Sequence, residues 1–267
     1  SYCFNDYFHN MSKKAGWPNR CDKTIDETKS STNFTWTDHT GISLRDLNND
    51  GKNEVIGASL GYPPSLTESN NEFFIFNGDG TNFPGWPVKL PIGYMKVPYG
   101  PLAIGDIDNE STLEIILWAI NPENKTYLFI YESNGTLKTG YPKKLFDNTT
   151  WGGPILVDID QDGELESPIF SDVGRCDTNG GELRYINMDG TTVAGWPARF
   201  DQEVYLFAPT VGDINKDGKI ETIFGTSGVY GNLGLCIMED YKVYAFQSDG
   251  SIMPGWPVSI KGQILSQ

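Results

Sequence analysis

Apolar residues along this chain come in short runs, each cut off by glycine, proline, asparagine or aspartate. Pro101 to Gly105, Glu114 to Trp118 and Tyr127 to Tyr131 are three consecutive examples; the last closes on Asn134-Gly135, and Thr136 to Leu145 follows. Runs rich in Ile, Val, Phe and Tyr and bounded by Asn-Gly or Asp-Gly predict strands joined by hairpins. No window sustains a 3.6-residue apolar pattern between breakers, so no helix is predicted.

The runs repeat. Gly-Trp-Pro or a close variant recurs at Gly16-Trp17-Pro18, Gly85-Trp86-Pro87, Gly140-Tyr141-Pro142, Gly195-Trp196-Pro197 and Gly255-Trp256-Pro257. An acidic motif opens at Asp46, Asp106, Asp158 and Asp213, at intervals of 60, 52 and 55 residues, and the two series interleave strictly. Each period holds four strand-like runs, which is the content of one propeller blade. The expected fold is therefore all-β: a β-propeller of four-stranded antiparallel blades in a single domain, 1–267. Blades are expected at 36–92, 98–146, 152–200 and 206–261.

Cys3-Phe4 followed by Gly16-Trp17-Pro18 aligns with Ala245-Phe246 followed by Gly255-Trp256-Pro257, so residues 1–21 read as an N-terminal half blade. Three arrangements accommodate four blades and a half: an imperfectly closed five-blade ring, a segment of a longer propeller, or a half blade that pairs with another chain through its open edge. The sequence starts at Ser1 with no basic-then-apolar leader, as in a mature product or a fragment.

The four acidic loops carry oxygen side chains at positions one, three, five and nine: Asp46, Asn48, Asp50 and Glu54; Asp106, Asp108, Glu110 and Glu114; Asp158, Asp160, Asp162 and Glu166; Asp213, Asn215, Asp217 and Glu221. Glycine stands at position six in three of them, where a sharp turn brings the main-chain carbonyl of position seven inward, from Lys52, Glu164 and Lys219. Carboxylates gathered within ~4 Å repel by ~1 kcal/mol per pair in bulk water and ~4 kcal/mol at an effective dielectric of 20, so a cation is the natural compensation. Ca²⁺ suits these loops because it accepts six to eight oxygen ligands in flexible geometry. An EF-hand would need a bidentate glutamate at position twelve, and counting from Asp46 that residue is Gly57. Asp, Asn and Gly also favour turns for their own sake; four such loops in phase with a repeat point to about four calcium sites. The second loop is the weakest of the set, with Glu110 for aspartate and Ser111 for glycine.

Charge adds to this picture. The chain has 35 acidic and 20 basic side chains for a formal charge of −15, and fourteen of the acidic groups are at the loop positions above. Such a balance repels phosphate backbones and argues against nucleic-acid partners. No stretch approaches the ~18 apolar residues of a membrane-spanning helix. Two histidines, His9 and His39, supply neither a zinc hydrolase nor a Ser-His-Asp arrangement.

The acidic loop and Gly-Trp-Pro, with a Tyr-x-Phe-x-x-Asp-Gly strand between them, resemble the FG-GAP/VCBS repeats of extracellular β-propellers, including the headpiece of integrin α-subunits. The resemblance runs over roughly residues 36 to 260 and the half repeat before them. It implies the propeller fold and calcium binding. It leaves the ligand open, because the family includes adhesion proteins, lectins, surface-layer and filament components and propellers attached to enzymes.

Four cysteines, Cys3, Cys21, Cys176 and Cys236, form an even set. Pairing of Cys3 with Cys21 and of Cys176 with Cys236 is the local choice among three connectivities, and free buried thiols are the alternative. Glycosylation acceptors fall at Asn10, Asn33, Asn124, Asn134 and Asn148, while the sequon at Asn109 lies inside an acidic loop and is a poor acceptor. Trp17, Trp86, Tyr141, Trp196 and Trp256 keep strict phase with the repeat and read as inter-blade packing; Trp36, Trp118 and Trp151 are off the repeat and are better candidates for ligand contact, with core packing still the first reading for them as well.

No nucleophile-base pair, phosphate loop or catalytic constellation stands out. The expected function is that of a secreted or extracellular-surface, calcium-stabilised, non-enzymatic glycoprotein. Its role would be adhesion or surface and filament assembly through protein or glycan contacts, with self-assembly available through the half blade. A carbohydrate-binding lectin, or the accessory propeller of a polysaccharide-degrading enzyme, is the alternative.

Overall fold

In every sheet an acidic loop leads into a strand whose first residue is the loop's ninth-position glutamate. The computed structural model describes residues 41–59, 71–96, 100–147, 150–171, 180–202, 204, 208–226, 230–231, 234–235, 241–262 and 264. The first sheet orders Ser43–Arg45, Glu54–Ser59, Glu72–Phe76 and Val88–Lys89, all antiparallel and in chain order. The fourth repeats this with Thr210–Gly212, Glu221–Gly225, Tyr241–Phe246 and Val258–Ile260, and a two-stranded ribbon, Tyr230–Gly231 with Gly234–Leu235, is inserted after its second strand.

The two middle sheets differ in their first strand. In the second sheet Met95–Lys96 and Ala103–Gly105 both pair with Glu114–Ile120, followed by Thr126–Glu132 and Lys143–Phe146. In the third, Thr150–Trp151 pairs with the end of Glu166–Ser171, and the stretch nearest the acidic loop makes only an isolated bridge, Val157 to Glu166. Gly181–Asn187 and Ala198–Phe200 complete that sheet. The expected all-β class thus stands as four antiparallel sheets in chain order, with a fifth short strand on the second. No helix occurs among the described residues, and none there is long and apolar enough to cross a membrane. The half blade expected at 1–21 lies outside the described residues.

The central strands are buried on both faces, which is why Glu114–Ile120 reads as a continuous apolar run rather than an alternating one. Three clusters join consecutive sheets: Ile56, Phe73 and Trp86 pack with Leu117 and Phe129; Trp118 and Leu128 with Ile169 and Met188; Phe170 and Tyr185 with Phe224 and Phe246. Trp118, 1% exposed, is therefore core, and Trp36 and the side chain of Trp151 lie outside the described residues.

The repeated aromatic stitches each sheet to the next. Trp86 Nε1 donates to Ser133 O at 2.7 Å, Tyr141 Oη to Met188 O at 2.6 Å and Trp196 Nε1 to Ser248 O at 3.1 Å. Beside the two tryptophans the main chains themselves meet: a Cβ on Gly85 would lie 1.8 Å from Asn134 O, and one on Gly195 2.4 Å from Asp249 O. Beside Tyr141 there is no such contact, since a Cβ on Gly140 would meet nothing within 4 Å; the main chains of these two sheets meet instead where a Cβ on Gly153 would lie 2.6 Å from Pro101 O. The packing role expected of these aromatics is what the structure shows for Trp86, Tyr141 and Trp196.

Candidate metal centre

The same local grammar builds all four loops. The ninth-position glutamate opens the second strand opposite the last residue of the first, as in the pairs Arg45 with Glu54, Gly105 with Glu114 and Gly212 with Glu221. Its Oε2 then accepts the N–H of the second loop residue: Leu47 at 2.8 Å, Ile107 at 3.0 Å, Ile159 at 2.9 Å and Ile214 at 2.9 Å. The first-position aspartate accepts the N–H of position six from Gly51, Ser111, Gly163 and Gly218 at 2.8–3.1 Å. Position six is left-handed throughout, at φ +83° for Gly51, +92° for Gly163 and +86° for Gly218. Ser111 is forced to +65°, a conformation that costs a side-chain-bearing residue about 1–2 kcal/mol.

All four glutamates are at most 1% exposed. Burial raises the carboxyl pKa of Glu54 and Glu114 above the ordinary glutamate range, and that of Glu166 to about 7; the Leu47, Ile107 and Ile159 N–H groups act the other way, and nearby aspartate charges add to the rise. A cation bound beside such carboxyls would displace their protons.

Three acidic groups converge in two of the loops. Ligand atoms of Asp158, Asp160 and Glu166 lie within 4.8 Å of one another, and so do those of Asp106, Asp108 and Glu114. The first and fourth loops have an amide at position three, and there Asn48 Oδ1 and Asn215 Oδ1 accept the N–H of Asp50 at 3.0 Å and Asp217 at 2.8 Å. Asn215 also turns its Nδ2 toward Asp217 Oδ2 at 3.0 Å. Asp50, Asp162 and Asp217 each accept the position-seven N–H, of Lys52, Glu164 and Lys219, at 2.8 Å. The donor set is entirely of hard oxygens, which fits Ca²⁺ or Mg²⁺ and excludes a preference for soft metals. The loops are also neighbours: Gln161 Nε2 of the third donates to Gly218 O of the fourth at 2.6 Å, and a cleft lined by Arg45, Asp46, Asn49, Asn53, Ser111 and Leu113 separates the first from the second.

The second loop has a partner that sequence reading missed. Lys138, from the hairpin after Thr126–Glu132, places its Nζ 2.6 Å from Asp108 Oδ2, 2.9 Å from Glu132 Oε1 and 4.0 Å from Glu114 Oε1. Burial alone would lower the ammonium pKa; the hydrogen bonds to Asp108 and Glu132 outweigh it and hold the pKa above the ordinary lysine range. Within the same loop Asp106 Oδ1 is buried with no hydrogen-bond partner, whereas Asp46, Asp158 and Asp213 use the equivalent oxygen to accept the N–H of position five.

Among the expected glycosylation positions, Asn124 and Asn134 are exposed, and Asn134 Oδ1 accepts the Thr136 N–H at 2.9 Å. Asn10, Asn33, Asn148 and all four cysteines lie outside the described residues.

Comparison with known proteins gives the class. Residues 46–117, from the first acidic loop into the second sheet, match the family model described as an FG-GAP-like repeat, so this segment carries the repeat that the motifs resemble. No curated protein sequence matches the chain. Among solved structures the chain is similar to the biofilm matrix protein Bap1 of V. cholerae, at 19% identity with a TM-score of 0.40. That similarity covers 81% of this chain, which spans 38% of the length of the matched one.

Proposed function

We propose that this chain is part of a calcium-stabilised, non-enzymatic β-propeller of the extracellular space that serves adhesion or surface and filament assembly through protein or glycan contacts. The third acidic loop carries the reading: Asp158, Asp160 and a fully buried Glu166 converge within 4.8 Å, and no lysine or arginine pairs with them among the described residues. Three like charges with no internal counter-ion call for one from solution, and calcium is abundant outside cells. Calcium there, and at the oxygen-rich first and fourth loops, would clamp the first two strands of a sheet at one end. In this reading the metal is a staple, not a catalyst.

The FG-GAP-like match over 46–117 supports the repeat class, and the stitching of consecutive sheets through Trp86, Tyr141 and Trp196 supports their arrangement as successive blades. Sequons and an even cysteine count accord with a secreted glycoprotein. Calorimetric titration with calcium tests the reading directly. Binding accompanied by a rise in melting temperature is expected; a melting curve unmoved by excess chelator would sink it. Low-magnification images and sedimentation of the native material separate isolated particles from polymers and so test the assembly role.

A further inference from the structure

The four repeats align residue for residue through the main-chain bonds of their hairpins, and the second departs from the rest at two linked places. Main-chain bonds fix the alignment: Phe83 N–H donates to Ile75 O, Lys138 to Ile130 O, Val193 to Tyr185 O and Met253 to Ala245 O, each at 2.9 Å. Lys138 therefore stands where the other repeats have apolar side chains. Likewise Asn77, Glu132, Asn187 and Gln247 are equivalent through their N–H bonds to Thr81 O, Thr136 O, Thr191 O and Ser251 O at 2.8–2.9 Å. In the other three repeats this side chain is an amide that bonds the hydroxyl of its own turn, from Asn77 to Thr81, Asn187 to Thr191 and Gln247 to Ser251. Only in the second is it a carboxylate, and Glu132 is bonded to the Lys138 ammonium at 2.9 Å.

We propose that Lys138 is a built-in cation that takes the place of a divalent ion in the second acidic loop, so that this loop carries its counter-charge in the chain and binds no metal. Two further features of the same loop agree with this. It is the loop that has lost the position-six glycine, with Ser111 at φ +65°, and its fifth residue is Glu110 rather than aspartate. An ammonium 2.6 Å from Asp108 Oδ2 occupies the coordination space on that carboxylate, since a calcium ion bound to the same oxygen would sit about 2.4 Å from it. Removing the lysine should uncover a metal site, because Asp106, Asp108 and Glu114 already converge and Asp106 Oδ1 has no partner to surrender.

The proposal builds on the calcium reading of the other loops, and its test separates the two. Lys138→Met installs the residue that the fourth repeat carries at the equivalent position, and Lys138→Arg keeps the charge. Bound calcium per full-length chain is counted by equilibrium dialysis with elemental analysis, alongside melting curves in chelator and in calcium. Lys138→Met is expected to bind one more calcium than the parent and to melt below it in chelator, recovering in calcium; Lys138→Arg should keep the parent's count. Equal counts for the parent and Lys138→Met overturn the proposal. Should Lys138→Met not fold, anomalous scattering from calcium-soaked crystals of the parent decides, because an ion on Asp106 and Asp108 would contradict the assignment and metal confined to other loops would uphold it. A parent that binds no calcium anywhere removes the function proposed above, while a calcium gained by Lys138→Met still upholds this one.

Discussion

The second and third acidic loops share a backbone and gather the same three carboxyls, yet they meet the resulting charge in different ways. In the second, Lys138 from the neighbouring hairpin lies among Asp108, Glu114 and Glu132. In the third, the equivalent position is Val193, buried at 3% exposure, and burial pushes Glu166 up to about 7 with no ammonium beside it among the described residues. One loop thus carries a neutralising charge in the chain, and for the other the described residues supply none. A repeat fold can keep its loop geometry while changing what surrounds the loop's carboxyls.

Several measurements would break or sharpen that contrast. The largest effect is expected from chelation of the parent protein: at calcium a hundredfold above its dissociation constant each site contributes about 2.7 kcal/mol, so stripping the first, third and fourth loops should lower the melting temperature by many degrees. Glu166→Gln should destabilise by about 3 kcal/mol in calcium at neutral pH through loss of one such site, and be close to neutral in chelator below pH 7, where burial keeps the carboxyl protonated. Glu114→Gln should show the same loss in both media, because its charge partner is covalently part of the chain; denaturant titrations with and without calcium compare the pair.

The pH response comes next. With metal removed, the folded state holds the Glu166 proton at a pH where the unfolded chain, at the ordinary glutamate value of 4.5, has released it. Folding therefore takes up a proton between about 4.5 and 7, and stability declines as pH rises through that window, by up to about 1.4 kcal/mol per pH unit. Glu54 and Glu114 act in the same direction. Calcium should abolish this decline, and its affinity should rise with pH over the same range. An apo protein that gains stability across that window would show that other groups dominate. The smallest effect is expected from Ser111→Gly, which relieves the left-handed strain at φ +65° and should stabilise by about 1 kcal/mol without changing the amount of metal bound.

Much of this was legible in the residues. The 60-, 52- and 55-residue intervals between acidic motifs mark out the four sheets, and the oxygens at positions one, three, five and nine are the groups that build each loop. Periodicity made these readable, because a residue type that returns in phase carries a geometric meaning that a single occurrence does not. The short strands Met95–Lys96 and Thr150–Trp151 were not legible, since two residues cannot display an alternation and their pairing depends on the far end of a neighbouring strand. Lys138 escaped for another reason. A lysine two residues before a Gly-Tyr-Pro reads as a solvated surface charge, and the acidic loop it enters lies 30 residues away. The signal was present only as a coincidence of substitutions, with Glu132, Lys138 and Ser111 all falling in one repeat.

The joints between sheets are unequal, and this bears on how the stack would carry load. At Gly85 and Gly195 peptide rests on peptide, with no side chain in between to bend or slide. At the equivalent position the middle joint uses the reach of the Tyr141 phenol to Met188 and of the Lys143 amine to Asp189, and its main chains meet elsewhere, where Gly100 and Pro101 face Gly153. Load passing between the second and third sheets would be borne by main chain at Gly100 and Gly153, away from the aromatic position that bears it in the outer pairs.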